Sequence, residues 1–370
     1  MKSRRRRSWL SSSSMMNNRG LYIHVPFCVR KCPYCDFYST AGADELRQEY
    51  ARAVVRNLRN YPEQFGTVYF GGGTPNLIAE HMADILSAVN TAPGAEISAE
   101  CNPASADIGT LRMMRSAGIN RISVGVQSLQ DGELKKLGRL HDSAQAEELI
   151  LAAEEAGFAS VSADVMLGIP GQTAESLTDT IERLAGLPVQ HISAYMLTLE
   201  PETPFGKTPP PDMADDEKMA DLYELCQELC EKHGFMQYEI SNFAREGFQC
   251  RHNLKYWRDE EYLGIGPAAH SFYAGKRFAV PRDLRGFIAS DRQPVEITDD
   301  CPGDYDERVI MGLRISEGIP EELYKPIESA LRLIPAEYYR LENGRLRLTE
   351  KGFPVYNYIV SLLLAHKEEP

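Results

Sequence analysis

The sequence predicts an α/β fold of six consecutive βα units, arranged either as an open, partial (β/α)6 TIM-type barrel or as a doubly wound sheet. Three observations carry this. From Leu21 to about Leu197, short β-branched or aromatic runs alternate with longer segments of helical apolar spacing. Gly or Pro stands at nearly every junction: Gly71-Gly72-Gly73, Pro103, Gly118, Gly157, Gly168 and Gly186. Each strand-like run is followed by a helix-length segment, which implies right-handed crossovers and a parallel sheet. Six units are two short of a full eightfold barrel. In either arrangement function sits at the carboxyl ends of the strands.

The expected strands are Leu21–Val25, Thr67–Phe70, Glu96–Ala99, Arg121–Val126, Val161–Leu167 and His191–Leu197. Helical spacing marks Ala43–Asn60, Leu77–Asn90, Ile108–Ala117, Ala144–Ala156 and Thr173–Leu184. After Glu200 a Pro-rich connection leads to one helix, Asp215–His233, and a further strand-like run, Tyr238–Phe243. Beyond about Gln293 a smaller mixed segment follows, with a hairpin around Gly344 in LENGRLRLT. The expected division is a tail over 1–20, a barrel over 21–245, a region packing on it over 246–292 and a C-terminal domain over 293–370. The first sixteen residues, MKSRRRRSWLSSSSMM, read as a disordered tail, a transit peptide or an over-called start ahead of Met15 or Met16.

Composition narrows the functional classes. With 370 residues, 43% hydrophobic and 25% charged, the chain has ample material for a packed core. A formal net charge of −13 argues against a general nucleic-acid binder, which carries a basic face. No apolar run reaches the roughly 18 residues of a membrane span. The expectation is a cytoplasmic protein of undetermined oligomeric state.

Eight cysteines are present, and three of them crowd into Cys28-Val-Arg-Lys-Cys32-Pro-Tyr-Cys35 just after the first strand. That is not a disulfide framework. The spacing leaves two ligations open: three thiolates on an iron–sulfur cluster, with one iron lacking a protein ligand, or a structural zinc site completed by His24. The glycine run Phe70-Gly71-Gly72-Gly73-Thr74-Pro75 closes the second strand, where unhindered amides let backbone approach a charged ligand. Glu100, Gln127, Arg139 and Asp164 fall in or near the ends of later strands, where polar side chains need partners or a ligand.

Together YIHVPFCVRKCPYCDF and the glycine run resemble the signature of the radical S-adenosylmethionine (SAM) superfamily. The resemblance implies the partial barrel rather than the doubly wound sheet. It also implies a [4Fe–4S] cluster on Cys28, Cys32 and Cys35, whose fourth iron chelates SAM and passes it an electron to release a 5′-deoxyadenosyl radical. The ordered blocks from Leu21 to about Phe272, including HISAYMLTLEPETPF, YEISNFA and YLGIGPAAHS, are similar to the branch containing oxygen-independent coproporphyrinogen III oxidase and its HemW-type relatives. By that resemblance Tyr22, Tyr34, Gly72, Gly73, Thr74, Glu100, Gln127, Arg139 and Asp164 contact SAM.

Two features separate the siblings. The oxidase resembles CxxxCxxCxC, and here Phe37 stands at the position of its fourth Cys. Arg251-His252-Asn253-Leu254-Lys255-Tyr256-Trp257 resembles the HNxxYW motif of HemW-type haem chaperones. The resemblance implies haem held near His252, with Asn253, Tyr256 and Trp257 around it, and delivery to acceptor haem proteins, respiratory ones among them. An imidazole is a usual axial ligand, and the two aromatics offer flat faces. The bland reading is an interior His-Asn pair with aromatics filling the barrel. The other reactions kept open are coproporphyrinogen III dehydrogenation and a zinc-bound interaction protein. Cys250 near His252, Cys226 and Cys230 on one helix face, and Cys301-Pro302 are weaker candidates, better explained by packing or an isolated loop.

Overall fold

In the computed structural model residues 19–368 are described; the tail expectation for residues 1–18 lies outside them. Residues 19 and 20, read as tail, are the first two of β1 (Arg19–Val25). The parallel strands follow in order: β2 (Phe65–Gly72), β3 (Thr91–Cys101), β4 (Arg121–Gln127), β5 (Ser160–Leu167) and β6 (His191–Met196). Each neighbour pair from β1 to β6 is parallel. Between them run α1 (Arg47–Leu58), α2 (Ala79–Ser87), α3 (Ile108–Ala117), α4 (Asp131–Lys136), α5 (Ser143–Glu155) and α6 (Ala174–Ala185). The later helices start where their side chains can cap the free amides: Asp107 on α3, and capping boxes from Asp142 on α5 and Thr173 on α6.

The sheet does not stop at six strands. The run Tyr238–Phe243 is not one strand. It splits into β7 (Met236–Glu239) and β8 (Asn242–Ala244), because the Glu239 carboxylate takes the Ser241 amide and the Asn242 side chain and holds a turn at 240–241. Then β9 (Tyr262–Ile265) pairs parallel to β1, and β10 (His270–Tyr273), β11 (Lys276–Ala279) and β12 (Glu296–Asp299) continue antiparallel. The order is β12-β11-β10-β9-β1-β2-β3-β4-β5-β6-β8-β7. β12 thus belongs to the large sheet although it lies beyond residue 293.

Strand alternation sorts the side chains. Leu21, Ile23, Val68, Phe70, Ile122, Val124, Val161, Ala163 and Ile192 are fully covered and pack with α1 to α3, α5 and α6 in one core. Each such burial contributes about 1.5–3 kcal/mol for the larger side chains. The other face reads Tyr22 and His24, Thr67 and Tyr69, Glu96 and Glu100, Arg121 and Ser123, Ser162 and Asp164, His191 and Ser193. These polar groups bond across strands: Tyr69 to Glu100, Ser123 to Asp164, Ser162 to His191, Arg121 to Ser160. Parallel strands are ordinarily apolar on both faces; here one face lines a polar barrel interior.

A second apolar cluster lies in the C-terminal part, where Val309, Leu313, Ile327, Leu346, Phe353 and Ile359 meet. It includes a small antiparallel sheet of β13 (Ile319–Pro320), β14 (Tyr339–Glu342) and β15 (Arg345–Leu348). The hairpin expected at Gly344 is present, with Asn343 and Gly344 both at positive φ as a type I′ turn requires. Arg314 joins this part to the barrel. Its guanidinium lies 4.3 Å from the Trp257 ring centroid and 5.6 Å from that of Tyr356, and 3.9 Å from the buried Glu239 carboxylate. Removing it strands a buried acid whose pKa burial already raises. Arg314→Ala should therefore lower folding stability by about 2–4 kcal/mol, read as a shifted denaturation midpoint; an unchanged midpoint would show that the joint does not depend on this side chain.

Candidate functional site

The carboxyl ends of the strands gather most of the residues singled out from sequence. The loop after β1 is tied to its own return by Cys28 N–H to Thr40 O (3.0 Å) and Thr40 N–H to Pro26 O (2.8 Å). It presents Cys28, Cys32 and Cys35, all half-buried and free. The glycine loop after β2 lies directly against it, with Gly73 N–H on Val25 O at 2.8 Å and Thr74 N–H on Phe27 O at 2.7 Å. A Cβ on Gly73 would stand 2.5 Å from Phe27 O, and Gly72 sits at φ +106° against the His24 ring, so both positions require glycine. Thr74 Oγ1 donates to Cys28 Sγ at 3.5 Å. Arg139 reaches Cys32 Sγ (3.7 Å) and Gly125 O (2.9 Å), and the Tyr34 hydroxyl lies beside both Cys32 and Arg139.

Deeper in, Glu100 accepts from Tyr69 OH (3.1 Å) and Gly72 N–H (3.2 Å). Burial, and then the charge of Asp164, push its carboxyl up to about 7. Asp164 accepts from Ser123 (2.8 Å) and Ser193, and burial carries it up to about 6. Gln127 ends β4 at φ +68°, an uncommon conformation for a side chain of its kind and a frequent mark of a ligand site. Tyr22 lies lower, its hydroxyl 3.1 Å from His24 Nδ1. Tyr195, near Asp164 and Glu100, was missed from sequence, as was Tyr69. The signal for both was the two-residue alternation along β2 and β6.

The donor set fits a cluster better than zinc. Among the described residues no three His, Cys, Asp or Glu side chains are gathered tightly enough for a single ion, whereas a zinc site needs its donors about 2.0–2.3 Å from one point. His24 is also engaged at both nitrogens, by Tyr22 OH and by Tyr38 O (2.8 Å), and burial lowers its pKa to about 4. Three thiols on one loop, each near the others and beside Arg139 and Thr74, fit the separate iron corners of a [4Fe–4S] cluster.

His252 is at the opposite end. The helix Arg251–Trp257 closes the barrel floor, its amides at Arg251 and His252 accepted by the Glu96 carboxylate (3.1 and 2.9 Å). His252 is 1% exposed. Its Nδ1 pairs with Thr67 Oγ1 at 2.8 Å and its Nε2 with Tyr256 OH at 2.9 Å, while its ring stacks on Tyr69. Tyr256, one turn on, shares its inward face; Trp257 turns to Arg314, and Asn253 is half-buried. In this conformation both His252 ring nitrogens have protein partners, and an iron ligated by His252 would have to displace one of them. Cys250 and Cys226 with Cys230 are likewise buried, whereas Cys301 is exposed.

A family model described as the Radical SAM superfamily matches residues 22–184. The curated "Heme chaperone HemW" of Haemophilus influenzae is 32% identical over 376 residues, covering 94% of this chain and 98% of its own length. The chain belongs to the HemW family. The Escherichia coli HemW is 38% identical over 299 residues, 75% of this chain and 79% of that one, and the Bacillus subtilis HemW 33% over 328 residues, 83% and 86%. The solved coproporphyrinogen III oxidase (HemN) from Escherichia coli superposes with a TM-score of 0.79 at 19% identity, over 94% of this chain and 90% of that one. The fold is thus the radical SAM partial barrel with a C-terminal part, and membership in this superfamily implies a [4Fe–4S] cluster and SAM. Among the described residues no helix is long and apolar enough to cross a membrane.

In this chain His252 is a structural hub. Burial lowers its pKa to about 3, below the ordinary 6.5, so its neutral form contributes stability above about pH 6.5 that is lost as the pH falls toward 3. His252→Ala leaves Thr67 and Tyr256 unpaired beside a cavity and should cost roughly 2–5 kcal/mol. Denaturation at pH 7.5 and pH 5 checks both points: the variant should be less stable, with a flatter acid dependence than wild type. A variant as stable as wild type would show that the floor does not rest on this ring.

Proposed function

We propose that this chain is a haem chaperone, binding haem and passing it to acceptor haem proteins, on a barrel that also holds a [4Fe–4S] cluster and SAM. The observation that carries the reading is the match to HemW relatives across nearly the whole chain. Cys28, Cys32 and Cys35 would hold the cluster, which supplies one-electron reduction toward SAM when bound. The backbone carbonyls of the Gly72–Thr74 loop and Glu100 would take the SAM ammonium end, Gln127, Arg139 and Asp164 the remainder, and Tyr22 and Tyr34 would wall the site. Haem would be held near His252, with Asn253, Tyr256 and Trp257 around it, one of the ring's present partners giving way to the iron.

A second reading, oxygen-independent coproporphyrinogen III dehydrogenation, is favoured by the fold shared with HemN. Against it, Phe37 stands where the oxidase motif has a Cys, and it is 65% exposed. After anaerobic reconstitution with iron and sulfide, the chaperone reading expects haem uptake in optical spectra and no coproporphyrinogen turnover with SAM and a reductant. Turnover abolished by Cys32→Ser, without haem uptake, would make the protein an oxidase. Cys32→Ser should in either case lose the cluster absorbance.

Glu100 gives SAM binding a pH signature. A carboxyl raised to about 7 is partly protonated at neutral pH, and a cationic ligand favours its ionised form. SAM affinity should therefore rise between about pH 6 and 8, with proton release near neutrality. Calorimetry in two buffers of different ionisation enthalpy measures this, and Glu100→Gln should abolish the pH dependence; equal affinities at both pH values would remove Glu100 from the site.

A further inference from the structure

A haem seated near His252 has two parts to hold, an iron and a pair of propionate carboxylates. The imidazole answers for the iron; the carboxylates need donors. The barrel interior beside the floor is open, because Tyr195 follows His191 and Ser193 on the inward face of β6 and is still 44% exposed. That space is rich in acids: Glu100, Asp164 and Glu239 all act on the Tyr195 hydroxyl. Cations are scarcer. Arg121 reaches the floor, but its Nη1 is committed to Ser160 Oγ and Phe248 O, both at 2.9 Å. Arg139 stands at the far end beside Cys32. Arg314 comes in from the C-terminal part, 3.9 Å from the Glu239 carboxylate.

Two buried donors meet here with no acceptor: Trp257 Nε1 and Arg314 Nε. They belong to stacked groups, the guanidinium lying 4.3 Å from the Trp257 ring centroid. An unpaired buried N–H is costly to keep, and calls for an acceptor that arrives from outside the fold. Arg314 can serve two carboxylates, since its fork carries donors on more than one edge and only one edge faces Glu239. The indole is also within reach of the iron end. Ring centroids of His252 and Tyr256 lie 5.3 Å apart, and those of Tyr256 and Trp257 6.5 Å, so one porphyrin with its side chains can span from the imidazole to the indole.

The surroundings oppose an anion less than the count of acids suggests. Burial raises the Glu239 pKa, which brings its neutral form, an O–H donor, closer to reach beside a second carboxylate. Glu239 Oε2 and Asn242 Oδ1 are unpartnered acceptors in the same place. A carboxylate cannot serve those two, whereas a water could serve donors and acceptors alike. The two occupants differ in one respect: only a carboxylate makes the donors matter to haem binding.

We propose that Trp257 Nε1 and Arg314 Nε form a carboxylate clamp that takes one propionate of a haem held at His252, so that the C-terminal part supplies a wall of the haem site. The proposal rests on the haem-chaperone reading. Ferric haem and its dimethyl ester, which keeps the iron and ring but has no ionised carboxylate, are titrated separately into the full chain and followed at the Soret band. Wild type should bind haem about tenfold more tightly than the ester. Trp257→Phe keeps a stacked ring and Arg314→Lys keeps the charge toward Glu239, while each removes a clamp N–H. In each variant the preference should fall to about threefold or less, with ester affinity within about twofold of wild type. A role confined to packing, or waters alone on these donors, would leave the haem-to-ester ratio at its wild-type value. That outcome in either variant, or equal uptake of haem and ester by wild type, overturns the clamp and leaves the chaperone reading standing. No uptake of either by wild type overturns both.

Discussion

The polar face of the parallel strands is the constraint from which the rest follows. A barrel of six short strands encloses a space that apolar side chains would fill. Here every second residue is Tyr, His, Glu, Ser, Thr, Arg or Asp instead, and each such group must find a partner inside. The partners are other strands: Tyr69 serves Glu100, Ser123 serves Asp164, Ser162 serves His191. Register is therefore fixed twice, by the apolar outer face against the helices and by hydrogen bonds within.

The two ends of this interior do different work. At the carboxyl ends the side chains are left with spare capacity: two carboxyls pushed up by burial, an arginine whose Nε has no partner, a glutamine at positive φ. At the amino ends the accounts are closed, with Glu96 on the helix amides, Thr67 and Tyr256 on His252, and Tyr238 on His191. Unspent polar capacity marks where a ligand belongs. The floor is more fully bonded, although the buried Trp257 Nε1 there has no partner.

Much of this was legible in the sequence. Runs such as Arg121–Val126 declared strands by β-branching and by Gly or Pro at their ends, and Ile108–Ala117 is a helix over those very residues. β2 and β3 extend beyond their apolar runs because neighbouring ladders recruit Gly71, Gly72 and Thr91–Ala95 regardless of propensity. The cysteine loop and glycine run announced themselves because their backbone geometry demands those residue types. The HNxxYW run was legible, but a motif records which residue is present and not what already bonds it, so the Thr67 and Tyr256 partners of His252 could not be read. Glu96 was invisible for the same reason: an acid at the start of a strand looks solvated until the helix it caps is in place.

The close approach of Gly73 to the cysteine loop has a bearing on how the molecule opens. Val25 O and Phe27 O receive the glycine-loop amides, and Pro26 O receives Thr40. The glycine loop and Thr40 are thereby laced through one short stretch, 25–28, so that three segments are held as one. Breaking that lacing exposes all of them together, so the mouth behaves as one cooperative opening unit rather than as independent loops. The amides of Gly73, Thr74 and Thr40 would then share a single protection factor in hydrogen exchange, and a ligand gripping any one of these segments would slow solvent access to the others.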